Sequence, residues 1–171
     1  DYTVKVRQVG EKDWVDLYEY NVKVDMDTKS DATMVQFDFS GKVEVLVQKN
    51  NGELRSAVVR PLSKGTQPEI DGNFLLFTLD KPQKLSVEFN GDSLNNLHVF
   101  ANPIIENVPD KNDPNVMYFE SGIHEPTDVA GKCFRIPSNT TVYLEGGAVL
   151  KGCLTCDSVE NVKILGHGML L

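Results

Sequence analysis

Several things are scarce in this sequence, and each shortage narrows what the protein can be. No stretch reaches the about 18 consecutive apolar residues that a transmembrane helix needs, so no membrane span is expected. Lys and Arg number 17 against 25 Asp and Glu, a formal net charge of −8. Such a chain lacks the clustered cations that neutralise phosphates, so no nucleic-acid partner is expected. No segment carries a capped apolar stripe of 3.6-residue period, which leaves little room for helices. The opening Asp1-Tyr2-Thr3-Val4 has no Met and no charged-then-apolar leader, and it reads as the start of a chain whose signal peptide has been removed.

Cysteine is also scarce. The three, Cys133, Cys153 and Cys156, are an odd set confined to the last quarter of the chain. Cys153 and Cys156 have the C-x-x-C spacing, but no second pair completes a zinc site. On a strand, residues three apart face opposite ways, which disfavours both a shared metal and a local disulfide. The cysteines read first as small buried hydrophobes, with a disulfide as the alternative, so they leave the compartment open.

What is present is strand, almost throughout the first hundred residues. Segments 2–9, 21–26, 34–39, 43–47, 57–60, 74–79, 85–89 and 97–101 are short and rich in Val, Leu and Phe. In the first two the apolar residues alternate with polar ones, as a half-buried strand requires. Between segments stand turn residues: Ser40-Gly41, Asn50-Asn51-Gly52, Asp71-Gly72-Asn73 and Asn90-Gly91-Asp92. Short strands joined by hairpin turns predict an all-β fold, with an antiparallel β-sandwich over residues 1–104.

Composition shifts at Asn102-Pro103 and again at Pro109-Asp110-Lys111-Asn112-Asp113-Pro114. Two prolines around a polar stretch mark residues 105–115 as a linker. Asp110, Asn112 and Asp113 lack the ligand order and the twelfth-position Glu of a calcium loop, and they read as solvated.

Beyond the linker the sequence repeats. Tyr118-Phe119-Glu120-Ser121-Gly122-Ile123-His124 matches Tyr143-Leu144-Glu145-Gly146-Gly147-Ala148-Val149. Both match Ile164-Leu165-Gly166-His167-Gly168-Met169-Leu170, at offsets of 25 and 21 residues. A period in the twenties with a fixed glycine suits a strand solenoid that corners at the same place in every turn. Ile136, Val142, Val159 and Val162 would add inward residues. The pattern predicts a parallel β-helix over residues 116–171.

The strings Val116-Met117-Tyr118-Phe119, Ile136-Pro137-Ser138-Asn139, Thr141-Val142-Tyr143-Leu144-x-Gly146-Gly147-Ala148-Val149 and Asn161-Val162-Lys163-Ile164-x-Gly166-His167-Gly168 resemble the start of one particular β-helix. It is the right-handed parallel β-helix, or pectin-lyase fold, of glycoside hydrolase families 28 and 49, the polygalacturonases, dextranases and isopullulanases. Phe100-Ala101-Asn102-Pro103 with the proline-bounded linker resembles the family 49 junction between an N-terminal β-sandwich and the helix. The resemblance is carried by residues 97–171 and is architectural only over 1–96.

The resemblance implies a secreted, cell-surface or periplasmic hydrolase of a polysaccharide or oligosaccharide, acting with inversion on α-glycosidic bonds. One carboxylic acid would protonate the leaving oxygen while a second carboxylate activates water. In those families the catalytic aspartates stand on later turns, so none is assigned in this chain and the fragment alone is expected to be inactive. Ending at Met169-Leu170-Leu171 within an apolar run, the chain reads as a truncated solenoid whose last turn has no cap.

Gly166-His167-Gly168 looks like the family 28 catalytic string, but no paired aspartates precede it and it reads as a corner. His98 and His124 read as packing or surface residues. Asp25 and Asp27 read as one solvated strand face, since nothing near them separates their environments. Trp14, Tyr18 and Tyr20 are the candidate substrate-binding residues, flat platforms for a sugar, with sheet core as the alternative. Asn139-Thr140-Thr141 fits a glycosylation acceptor by its sequence alone. No cofactor or metal is expected. Two rivals stay open, a non-catalytic carbohydrate-binding sandwich and a structural or adhesive β-helix. A polysaccharide lyase would need calcium carboxylates and a basic residue that cannot be picked out.

Overall fold

A computed structural model of the chain describes residues 1–25, 27, 30–127 and 132–171. It divides into two compact units, Asp1–Ile104 and Ile105–Leu171. Among the described residues the regular structure is all strand apart from one 3-10 turn at Leu62–Lys64.

The first unit holds β1 (Tyr2–Gln8), β2 (Val15–Asp16), β3 (Tyr20–Val24), β4 (Ser30–Phe39), β5 (Val43–Lys49), β6 (Ala57–Arg60), β7 (Glu69–Asp71), β8 (Phe74–Leu79), β9 (Gln83–Phe89) and β10 (Asp92–Pro103). They form two five-stranded sheets, in the orders β2-β1-β5-β8-β7 and β3-β4-β10-β9-β6. Alternation explains why both sheets bury one face. Val4, Val45, Val47, Leu75, Phe77 and Leu79 from the first sheet share one core with Val35, Leu85, Val87, Leu97 and Val99 from the second. Each such side chain, fully buried, contributes about 1.5–3 kcal/mol.

The expected antiparallel order needs correction at one pairing. β4 and β10 run parallel, Leu97 opposite Thr33 through Pro103 opposite Phe39. More than fifty residues of chain separate these strands, so no hairpin forces them antiparallel. The short β2 and β7 escape the sequence pattern because their residues are exposed and too few to alternate. The segment expected at 21–26 runs as Tyr20–Val24, and Met26 lies outside the described residues. Asp25 is therefore not on a strand face: its φ is +61°, and its Oδ1 accepts from the Asp27 backbone N–H at 3.0 Å, an Asx turn.

The second unit contains β11 (Val116–Phe119), β12 (Gly122–His124), β13 (Cys133–Arg135), β14 (Thr141–Leu144), β15 (Ala148–Leu150), β16 (Cys153–Thr155), β17 (Lys163–Gly166) and β18 (Met169–Leu170). All described pairings are parallel, in sheets β11-β14-β17, β12-β15-β18 and β13-β16. Tyr118 pairs with Tyr143, as the repeat requires, and their rings lie 4.9 Å apart. The third copy is shifted by one residue, because Tyr143 pairs with Leu165 rather than Ile164. That register puts Phe119, Leu144 and Gly166 in one column, with Phe119 and Leu144 in a core with Ile136, Val142, Ala148 and Leu150. Val162 packs on that core, while Val159 is half-buried outside it.

Glycine is required at Gly166, where φ is +115° and a Cβ would stand 1.9 Å from the Leu144 carbonyl oxygen. Another corner uses asparagine instead. Asn139 and Asn161 both have positive φ, 60° and 56°, and Asn161 Nδ2 donates to Asn139 Oδ1 at 3.0 Å. The Asn139 amide of the glycosylation string is thus engaged by the next turn.

The reading of the cysteines as small buried hydrophobes is also corrected. Cys133 and Cys153 face one another across β13 and β16 and form a disulfide, with Cα atoms 4.4 Å apart. Cys153 and the free Cys156 are exposed. The parallel pairing of β13 with β16 brings residues 20 apart in sequence into contact, a proximity that local spacing does not reveal.

Gly166→Ala is expected to destabilise the second unit by at least about 3 kcal/mol, combining left-handed strain with overpacking. Faster amide exchange in β14 and β17 reports it, and unchanged protection would show that the corner yields. Reduction of the Cys133–Cys153 bond, which spans a sequence separation of 20 residues, is expected to cost about 3 kcal/mol. Amide exchange in β13 and β16, with and without reductant, measures that loss.

Candidate functional site

The side of the second sheet away from the core carries polar and aromatic groups in registered rows. Leu85, Val87 and Phe89 of β9 point to the core, so Lys84, Ser86 and Glu88 point away. Pairing then aligns Tyr20, Met34, His98, Ser86 and Arg60 across all five strands. At about 4.8 Å per strand this row is about 19 Å long. A neighbouring row aligns Gln36, Phe100 and Lys84. A cavity of about 360 Å³ opens here, lined by Arg60, Pro61, Lys84, Ser86, His98 and Phe100.

Local contacts fix these groups. Arg60 grips Glu88 with Nε at 3.0 Å and Nη2 at 3.2 Å, a bidentate pair. The Lys84 ammonium lies 5.4 Å from the Phe100 ring centroid and donates to Asn102 Oδ1. Burial pulls the Lys84 ammonium below its ordinary range, and the Asp38 charge opposes that pull. Burial likewise lowers His98. Asn96, 7% exposed, donates to Ser86 Oγ at 2.8 Å, while its Oδ1 has no partner.

The three aromatic candidates do not form one cluster. Tyr18 lies ahead of β3 rather than on it, 73% exposed, with its ring edge-on to Tyr20 at 4.7 Å. Burial raises the Tyr20 phenol first and Tyr18 adds to it, against a hydrogen bond with Gln36. Trp14 belongs with the first sheet instead. The Arg7 guanidinium covers its ring at 4.2 Å and bonds Glu44 at 2.5 Å. One face of Trp14 is therefore occupied.

The other singled-out residues are held by backbone. His124 Nε2 lies 2.7 Å from the Glu120 carbonyl oxygen, and its ring meets Phe119 edge-on at 5.3 Å. His167 stands between β17 and β18, its N–H donating to the Leu144 carbonyl at 3.0 Å. Segment 110–115 is exposed, as a solvated stretch should be, and it carries a pair of Asx turns. Asp110 Oδ1 accepts from Asn112 at 2.9 Å, and Asp113 Oδ1 from Asn115 at 2.8 Å. Among the described residues no group of three or more His, Cys, Asp or Glu could hold a metal ion, and no helix is long and apolar enough to cross a membrane.

In a comparison of structures, Dex49A from Penicillium minioluteum aligns with 99% of this chain at a TM-score of 0.65. The chain shares that fold. Identity is 18%, and the match spans 45% of the Dex49A chain. No family model matches the sequence, and neither does any curated protein. The resemblance carried by residues 97–171 to family 49 is met by Dex49A at the level of fold, which at this identity says nothing of activity.

Sequence reading missed Arg60, Lys84, Ser86 and Phe100 because only cross-strand pairing brings them together. Their signal was the alternation itself: each is the non-core residue of its strand.

His98 is expected to titrate below about 6.5, its unfolded value. Between the two values the unfolded state binds more protons, so this contribution to stability is complete above about pH 6.5 and lost as pH falls through the folded value. Ring-proton NMR gives the titration. His98→Gln should flatten that part of the stability–pH curve, and an unchanged curve would remove His98 as its source.

Proposed function

We propose that this chain is part of a secreted glycoside hydrolase that cleaves α-linked polysaccharide. The observation that carries the reading is the fold likeness to Dex49A, a dextranase of family 49, along nearly the whole chain. In this reading residues 1–104 are a β-sandwich, 105–115 a linker, and 116–171 the first turns of a right-handed parallel β-helix. The two compact units and the all-parallel second unit support it. The Cys133–Cys153 bond supports an oxidising compartment, and so secretion.

Catalysis would fall to inverting aspartates on further turns. One would protonate the leaving oxygen and the other activate water. The carboxylates in this chain favour that division of labour, because so many are committed elsewhere. Asp16, Glu44, Glu88 and Glu120 sit in ion pairs with Lys5, Arg7, Arg60 and Lys111. Asp92, Asp110 and Asp113 accept from backbone N–H groups, as do Glu19 and Glu145. A general acid needs the opposite setting, an apolar pocket that keeps it protonated. The chain's own part is then to hold glycan, and the exposed Tyr18 ring set against the half-buried Tyr20 favours that role.

Reducing-end release from dextran, pullulan and polygalacturonate tests the reading, with the 171-residue chain assayed beside the longer gene product. The longer product is expected to hydrolyse an α-linked polymer with inversion, and the chain alone to release nothing. Turnover by the chain, or none by the longer product, would overturn the assignment.

A further inference from the structure

A larger cavity, about 480 Å³, lies in the first unit beside its first sheet. Glu44 of β5 and Thr78 of β8 stand opposite one another along one wall. The loop after the 3-10 turn, with Lys64 and the β7 residue Glu69, forms another. Asp80 and Gln83 close it where β8 passes into β9.

The lining has the chemistry of a hydroxyl-rich, uncharged ligand. An anion would face three carboxylates, and a cation would face lysine. A divalent ion is disfavoured further, because Glu44 is committed to Arg7 at 2.5 Å and no metal-holding group occurs among the described residues. A sugar hydroxyl both donates and accepts, so it can serve carboxylate and ammonium together. The volume lies within the range of small-ligand sites.

Gln83 supplies the second observation. It is 9% exposed, and its Oε1 has no hydrogen-bond partner. Buried polar atoms are almost always paired, so such an orphan calls for a donor. The other core-facing positions of β9 are Leu85, Val87 and Phe89, and packing alone gives no reason for an amide among them.

We propose that this cavity is a subsite for one sugar unit of a neutral glycan, with a hydroxyl donating to Gln83 Oε1 and others to Glu69 and Asp80. The proposal rests on the glycoside-hydrolase reading for its class of ligand. It places one point of glycan contact on the first sheet, apart from the Tyr18–Tyr20 face of the second.

Titration of the full 171-residue chain with isomaltotriose, followed by two-dimensional amide NMR, tests it. Saturable shifts are expected at residues 65–69, 78–80 and 83. Gln83→Leu keeps the side-chain volume and removes the orphan amide, so Tm should hold or rise while binding weakens about tenfold, the loss of one hydrogen bond. Thr78→Val is a second variant expected to weaken binding without unfolding the sheet. Shifts confined to Tyr18, Tyr20 and His98, or unchanged affinity in Gln83→Leu, would overturn the proposal. Hydrolysis by the longer product with no binding here overturns the subsite alone. Binding here without hydrolysis supports the subsite and overturns the activity.

Discussion

The Leu144 carbonyl is the point on which the second unit turns. It accepts from the His167 N–H at 3.0 Å and the Gly168 N–H at 3.3 Å, so the chain of one turn is stitched to the turn before. The approach is close enough that a Cβ at Gly166 or Gly168 would collide with Leu144, at 1.9 Å from its oxygen or 2.6 Å from its Cβ. Everything inward of that corner follows from the register it sets. Leu144 takes its place over Phe119, and Val142 over Met117. Each parallel sheet then has a clamp of its own kind. The first has this corner and the asparagine pair that leads into it, the second backbone bonds such as Lys151 N–H to His124 at 2.9 Å, and the third a covalent bridge. Small parallel sheets gain from such clamps because each strand pairing buries little by itself.

In the first unit the governing constraint is alternation rather than a single bond. Every core position is matched by an outward one, and the outward ones carry the charge. Most of the ion pairs formed there are exposed, Lys5–Asp16 and Lys23–Asp31 among them, and pairs of this kind add at most about 1 kcal/mol each. Arg7 differs because it is shared. It lies over Trp14 and bonds Glu44, so it links the loop before β2 to the wall of the larger cavity. That arrangement turns Trp14 from a free stacking platform into a support for the first sheet.

What was legible in the sequence was whatever short-range chemistry decides. Strand positions followed from two-residue alternation, turns from Asn, Asp and Gly, and the Tyr118–Tyr143 ladder from the repeat. What escaped was decided by residues far apart. The parallel meeting of β4 and β10 crosses more than fifty residues, and the Cys133–Cys153 bond joins successive turns. The third copy slipped by one because glycine was aligned with glycine. In the structure Gly166 takes the column of Phe119 and Leu144, an apolar column closed by a residue with no side chain. The candidate aromatics were adjacent in sequence yet went to different sheets, as happens when a chain changes sheets between β2 and β3.

A TM-score of 0.65 at 18% identity has a physical reading. A fold of this kind asks little of most positions: apolar residues inside, turn formers at corners, and glycine where backbones crowd. Many sequences satisfy those demands, so the inward residues preserve the fold without recording the reaction. The record of function therefore lies in residues that packing does not require. Arg60, Lys84 and His98 on one sheet, and Glu44, Thr78 and Gln83 around the cavity of the other, stand at or beyond the margin of the core. An amide in the core phase of β9 is the sharpest of these, since a leucine there would serve the sheet better and a ligand worse.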